Sequence, residues 1–209
     1  MKIRSFLLRL TPPASRLTLA VSLLLFAATA SAESYRVDLI LFLDKNGTSE
    51  QGRRAGPIDS GAAIETGNVA ALARAGITIL PDDQFALAEQ WQRLRNSKRW
   101  QPLVKLAWTQ KDPPGERGPA LRVKFGQTLS INDAEHSTEF GIAPVEGSVA
   151  LLLGKYLHLD ADLVYTMPTS AGGFVAYRLK ERRKMRRDEL HHIDSPKLGI
   201  LVKMSKPAA

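Results

Sequence analysis

The sequence predicts a single α+β domain after a signal peptide, built as an antiparallel sheet with one face packed on a helix. Three observations carry this. Between Tyr35 and Met204, apolar residues repeatedly fall at every second position, the pattern of strands with one buried face. One stretch, Phe85–Leu94, has helical spacing instead: Leu87, Trp91 and Leu94 stand at i, i+4 and i+7, with Phe85 and Ala88 alongside. Residues 1–32 read as a leader. They hold Lys2, Arg4, Arg9 and Arg16, no acid, an uncharged run from Leu17, and Ala30-Ser31-Ala32 before Glu33. A membrane anchor needs about 20 apolar residues. This run is shorter and ends in small residues, so cleavage after Ala32 is expected, leaving no transmembrane anchor.

The elements follow in order. Tyr35–Leu43 is apolar on both faces, with Val37, Leu39, Leu41 and Leu43 opposite Ile40 and Phe42, so it reads as a central strand. Asp38 is the odd member, and its side chain is expected either near a strand end or paired with an arginine. Residues 44–67, rich in Gly, Ser, Asn and charge, read as a flexible loop. Asn68–Ala75 is a short helix ended by Gly76, and Ile77–Leu80 is extended. Pro81-Asp82-Asp83 then opens the main helix, its aspartates placed to cap the first turn.

Period-two patterning returns with Val104, Leu106 and Trp108, and again with Leu121, Val123 and Phe125. Residues 130–146 are polar and read as a long connection. Val149–Leu153 is a strand. In Tyr156–Tyr165, Leu157, Leu159, Ala161, Leu163 and Tyr165 oppose Tyr156, His158, Asp160 and Asp162. In Phe174–Arg183, Val175, Tyr177 and Leu179 oppose Arg178, Lys180 and Arg182. Leu190–Asp194 and Leu198–Met204, joined through Ser195-Pro196, complete the sheet. Trp91 and Trp108 read as core. Trp100, beside Arg99, reads as partly exposed and able to stack on a sugar.

Composition excludes several classes. The 209 residues contain no Cys, so disulfides, cysteine zinc sites and thiol nucleophiles are ruled out. The formal net charge of +8 falls to +4 without the four leader cations, with 25 basic residues against 21 acidic. That excess is too mild for a nucleic-acid binder. A domain of 177 residues, Glu33–Ala209, buries enough surface to stand without covalent staples.

Hydrolase motifs are scarce. The chain has no S-x-x-K, G-x-S-x-G or H-E-x-x-H. His136-x-x-Glu139 has a spacing that a zinc peptidase or amidase could use on a helix, but it lies in the polar connection and such a match often arises by chance. His158-x-Asp160 and His191-His192-x-Asp194 each have too few ligands for a metal, and pleating sends His191 and His192 to opposite faces. No cofactor or metal is expected. The densest feature is basic: Arg178, Lys180, Arg182, Arg183, Lys184, Arg186 and Arg187 lie within ten residues. This run is either a solvated hairpin tip or a cationic platform for an anionic polymer or headgroup layer. Arginine suits carboxylates because its planar fork engages both oxygens.

Four stretches resemble the CsiV family of periplasmic peptidoglycan-binding proteins. They are YRVDLILF at 35–42, PLVKLAWTQ at 102–110, LLLGKYLHLDADLVY at 151–165 and RRKMRRDELHHIDSPKLGILV at 182–202. The last two are the specific ones. The chain departs from the family at Lys155, where Arg is usual, at His192 in place of Tyr, and at Ser195 in place of His. The resemblance implies a non-catalytic periplasmic protein that binds peptidoglycan and supports wall assembly and cell shape. An alternative is docking on a penicillin-binding protein or its lipoprotein activator; a third reading is a wall hydrolase.

Arg178, Lys180 and Arg182 are the expected ligand-binding cations, with Lys155, His158, Arg183 and Arg186 nearby. Asp160, Asp162 and Asp194 would orient them or meet the ammonium of diaminopimelate.

Overall fold

A computed structural model describes residues 33–47, 62–127, 129–133, 138–170 and 173–207. Eleven strands and two α-helices are present among them. Strands β1 (Ser34–Asp44), β2 (Ile77–Ile79), β3 (Trp100–Lys111), β10 (Leu190–Asp194) and β11 (Leu198–Ser205) form one sheet in the order β10-β11-β1-β3-β2. A second sheet has the order β4-β7-β8-β9, from Leu121–Phe125, Val145–Leu153, Leu157–Pro168 and Phe174–Lys184. Strands β5 (Leu129–Asp133) and β6 (Thr138–Ile142) pair with each other. The helices are α1 (Val69–Arg74) and α2 (Ala88–Arg95).

The two sheets share one core. Val37, Leu39 and Leu41 of β1 and Ile200, Val202 and Met204 of β11 belong to the same buried cluster as Val149, Leu151, Leu159, Leu163 and Leu179 of the second sheet. Each such aliphatic side chain contributes about 1.5–3 kcal/mol by leaving water. The other face of β1 is covered as well. Ile40 and Phe42 join Ala107, Phe85, Leu87 and Leu94 in a smaller cluster under α2. Both faces of β1 are therefore buried, as its sequence predicts.

The expected α+β arrangement is overturned: the protein is mainly β, with two sheets. Alternation shows that a strand has a buried face but not what covers it. A helix of eight residues, with Leu94 its one buried side chain, cannot cover a core drawn from this many strands. A second sheet does so. Helix α2 packs on the outside of the first sheet, and the solvated strand face belongs to the second.

Other expectations change with it. Residues 130–146, expected as a connection, carry β5 and β6 and enter β7 at Val145. The basic run does not lead through a tight turn into a β9–β10 hairpin, because β9 and β10 belong to different sheets; its strand part, to Lys184, is the second arm of the β8–β9 hairpin. The chain crosses between them through Met185, which is buried and whose amide donates to the Leu157 carbonyl. The expected loop at 44–67 begins inside β1, where Asp44 pairs with Arg99 at 2.7 Å. Its far end is tied down: Ile64 bridges Leu121, and the Ile64 amide donates to Ala120 at 2.7 Å. The stretch between, 48–61, lies outside the described residues.

Asp82 and Asp83 sit in a 3₁₀ turn, Asp82–Gln84, not at the cap of α2. Asp82 instead pairs with Lys105 at 2.7 Å. What holds the turn is Asp38, which is buried in β1 and, of the two expected arrangements, takes the one with an arginine partner. Arg36 Nε and Nη2 donate to it at 2.7 and 2.9 Å, and the Ala86 amide at 2.8 Å. Arg36 also donates to the Gln84 carbonyl.

Gly199 shows how tightly the outer cluster closes. A Cβ there would sit 2.2 Å from the Phe42 ring, itself buried and flanked by Trp100. Gly199→Ala is expected to cost about 1–3 kcal/mol through overpacking, read as a lower urea midpoint.

Candidate functional site

Strands β7, β8 and β9 present their outer face to solvent. Their register sets two rows across it. Ser148, Asp162 and Lys180 form one, and Ala150, Asp160 and Arg182 the next. Small residues on β7 leave a depression of about 260 Å³ beside the charged side chains. The loop Glu116–Gly118 forms its far wall. Close approach of β7 and β8 is enforced at Gly147, where φ is +152° and a Cβ would fall 2.1 Å from the Asp162 carbonyl oxygen.

The cations here are not bare. Arg178 donates to both oxygens of Asp162, at 2.7 and 2.6 Å. Arg182 grips Asp160 Oδ2 through Nε and Nη2, at 3.1 and 2.6 Å, and reaches the Glu116 carbonyl at 3.1 Å. Lys180 stands 3.5 Å from Asp162 but remains two-thirds exposed (67%), so its ammonium is open to a ligand. Arg117 on the wall is exposed and has no ion pair among the described residues. Four cations (Arg117, Arg178, Lys180, Arg182) thus face three carboxylates (Glu116, Asp160, Asp162). Asp160 and Asp162 orient the arginines as expected, and the face is a mixed-charge ladder.

The Arg178 guanidinium holds the Asp162 carboxyl below the usual carboxylate range, against burial and with help from Lys180. Asp44 is lowered likewise, chiefly by Arg99. Both groups bind protons less tightly folded than unfolded. Their stabilisation is complete above the unfolded value near 4 and is lost as pH falls through the lower folded values. The urea midpoint should therefore drop below about pH 4, and Asp162→Asn should flatten that decline.

Not every expected residue reaches this face. Lys155 lies on the β7–β8 turn, 5.6 Å from the Tyr156 ring centroid, and Lys184 covers the same ring at 3.2 Å. His158 is on the outer face, its Nδ1–H donating to the Tyr156 carbonyl at 2.9 Å. Arg183 is opposite Leu159 and shares the inward parity of Leu179, so pleating removes it from the ladder; it pairs with Glu181 at 2.8 Å. Arg186 lies on the crossing to the first sheet, 3.6 Å from Glu189. Asp194, on β10, is in the other sheet altogether.

His192 stacks on Phe42 with centroids 5.7 Å apart, and Ser195 Oγ closes the β10–β11 turn with Leu198 at 3.1 Å. Among the described residues no group of three or more His, Asp or Glu could hold a metal. His136 lies outside them, as does the side chain of Glu139. Sequence reasoning missed the Glu116–Gly118 wall and the small floor residues. Neither carries a local signal, because both matter only through strand pairing.

Fold and site together define a two-sheet β protein whose prominent exposed feature is a concave, mixed-charge strand face. The chain belongs to the CsiV family: the family profile, described as "Peptidoglycan-binding protein, CsiV", matches residues 16–207. That description names peptidoglycan as what the family binds. No helix of the described residues is long and apolar enough to cross a membrane.

No curated protein matches the chain. Two solved structures resemble it. Aeromonas hydrophila ExeD gives a TM-score of 0.37 at 8% identity, covering 92% of this chain and 52% of that one. The type II secretin GspD from enteropathogenic Escherichia coli gives 0.39 at 10%, covering 92% and 74%. The chain thus spans about half the length of ExeD. Likeness this remote says nothing of function.

Proposed function

We propose that the protein is a periplasmic, non-catalytic binder of peptidoglycan that supports wall assembly and cell shape, and that the outer face of β7–β8–β9 grips the stem peptides. The carrying observation is the ladder of Arg178, Lys180 and Arg182 interleaved with Asp160 and Asp162 over an open depression. A stem peptide offers carboxylates and, at diaminopimelate, an ammonium. A face with both signs at strand spacing can meet both. Its internal pairs are partly exposed and contribute about 0–1 kcal/mol each, so a ligand carboxylate can displace an aspartate at small cost. Affinity per unit is then low, and retention on the wall comes from many repeats of the ligand.

The test is a pull-down of the purified protein on sacculi as NaCl rises from about 0.05 to 0.5 M, which shortens screening to a few ångströms. Retention should fall steeply, and no muropeptides should be released. Retention indifferent to salt would reject the ladder as the grip, and released muropeptides would reject binding without turnover.

A further inference from the structure

A second depression, of about 290 Å³, lies on the other side of the sandwich, over the first sheet. Trp91 of α2 and Trp100 of β3 line it, with Lys45, Arg95 and Gln101 at its rim. Both indoles are partly buried against the outer cluster, and both line the cleft. Trp91 is therefore not the core residue its helical spacing suggested.

The rings are held in place. Phe42 meets Trp100 edge-on, with centroids 5.3 Å apart. Arg99 lies 4.2 Å over the Trp100 ring and is itself fixed by Asp44. Lys105 stands 6.0 Å from Trp91. Neither Arg99 nor Lys105 lines the cleft. The backbone between the two rings is fixed too, because Ser97 Oγ accepts the amides of Arg99 and Trp100 at 3.2 and 3.1 Å.

Two half-buried indoles beside exposed amide and cationic side chains suit a flat ring that is apolar on its face and polar around its edge. A pyranose has that character: its axial C–H bonds lie against an aromatic face while hydroxyl and acetamido groups point outward. We propose that this cleft binds an N-acetylhexosamine of the glycan strand, laid against the indole surface that Trp91 and Trp100 leave open. Gln101, Lys45 and Arg95 take its polar rim. The proposal rests on the peptidoglycan reading and adds a sugar subsite on the face opposite the peptide ladder, so one molecule can engage two parts of the polymer.

The probe is soluble tetra-N-acetylchitotetraose, which carries the acetamido pyranose and no peptide, titrated into ¹⁵N-labelled protein. The indole N–H signals of Trp91 and Trp100, assigned by Trp→Phe variants, should shift saturably. That of Trp108, fully buried, should stay. Trp100→Ala should weaken binding about tenfold or more, the loss expected on removing one stacked aromatic anchor. Gln101→Ala, exposed and safe for folding, should weaken it by a smaller factor. An oligosaccharide that moves no indole signal, or moves all three equally, overturns the cleft. The two readings fail separately: a stem tetrapeptide that leaves the β8 and β9 amides unmoved overturns the ladder and does not touch the indole result.

Discussion

Asp38→Ala should destabilise the protein by about 3–5 kcal/mol, the largest single-residue effect expected here. Asp38 is almost fully buried (1% exposed) in the central strand. It neutralises Arg36 and accepts the Ala86 amide at 2.8 Å. Removing it strands a partly buried guanidinium and a backbone donor at once, and breaking one side of a buried ion pair costs that much. The loss is structural in a specific place, because Ala86 belongs to the segment that seats Phe85 and Leu87 on the outer cluster. Amide exchange should therefore accelerate first from Phe85 through α2. Asp38→Asn, which retains an acceptor for Ala86, should fall between the wild type and Asp38→Ala. A urea midpoint unmoved by Asp38→Ala would show that the pair does not hold this segment.

The second large effect is on binding. Arg178→Glu, Lys180→Glu and Arg182→Glu together turn four cations against three carboxylates into one against six. Sacculus retention at about 0.1 M salt should fall by at least tenfold, since charges within a Debye length of a carboxylate-rich polymer now repel it. The parent pairs are surface pairs, so folding should survive with a stability change of about 1–3 kcal/mol. Arg74→Glu, on α1 and lining neither depression, should leave retention near wild type. Arg183→Glu is the sharper control. It lies in the same basic run yet on the inward parity of β9, and it should matter little.

That contrast shows where the sequence was informative. The paired faces of β1 are written in Val37, Leu39 and Leu41 against Ile40 and Phe42, and the structure buries both sets. The outward row Arg178, Lys180 and Arg182 is likewise read from alternation. What alternation cannot give is the partner across the ladder. That Asp160 lies opposite Arg182, and Asp162 opposite Lys180, depends on the β8–β9 register. That register turns a cationic run into a mixed-charge face.

The same limit hid the second sheet, because strands 20 or more residues apart look alike whether they pair or stack. Arg183 and Arg186 appeared to extend the patch because local density ignores both the pleat and the crossing at Met185. Trp91 shared the apolar stripe of α2. Nothing in the spacing says that the stripe ends at the edge of a small cluster with part of the indole in solvent.

The central claim is that the wall is gripped on the outer face of β7–β8–β9. It is tested most directly by photo-crosslinking in intact cells, with a photoreactive amino acid in place of Arg117 on the rim or of Arg74 on α1. After muramidase digestion, protein labelled at position 117 should carry muropeptides and protein labelled at 74 should not. Equal capture at both positions, or capture at 74 alone, would contradict it.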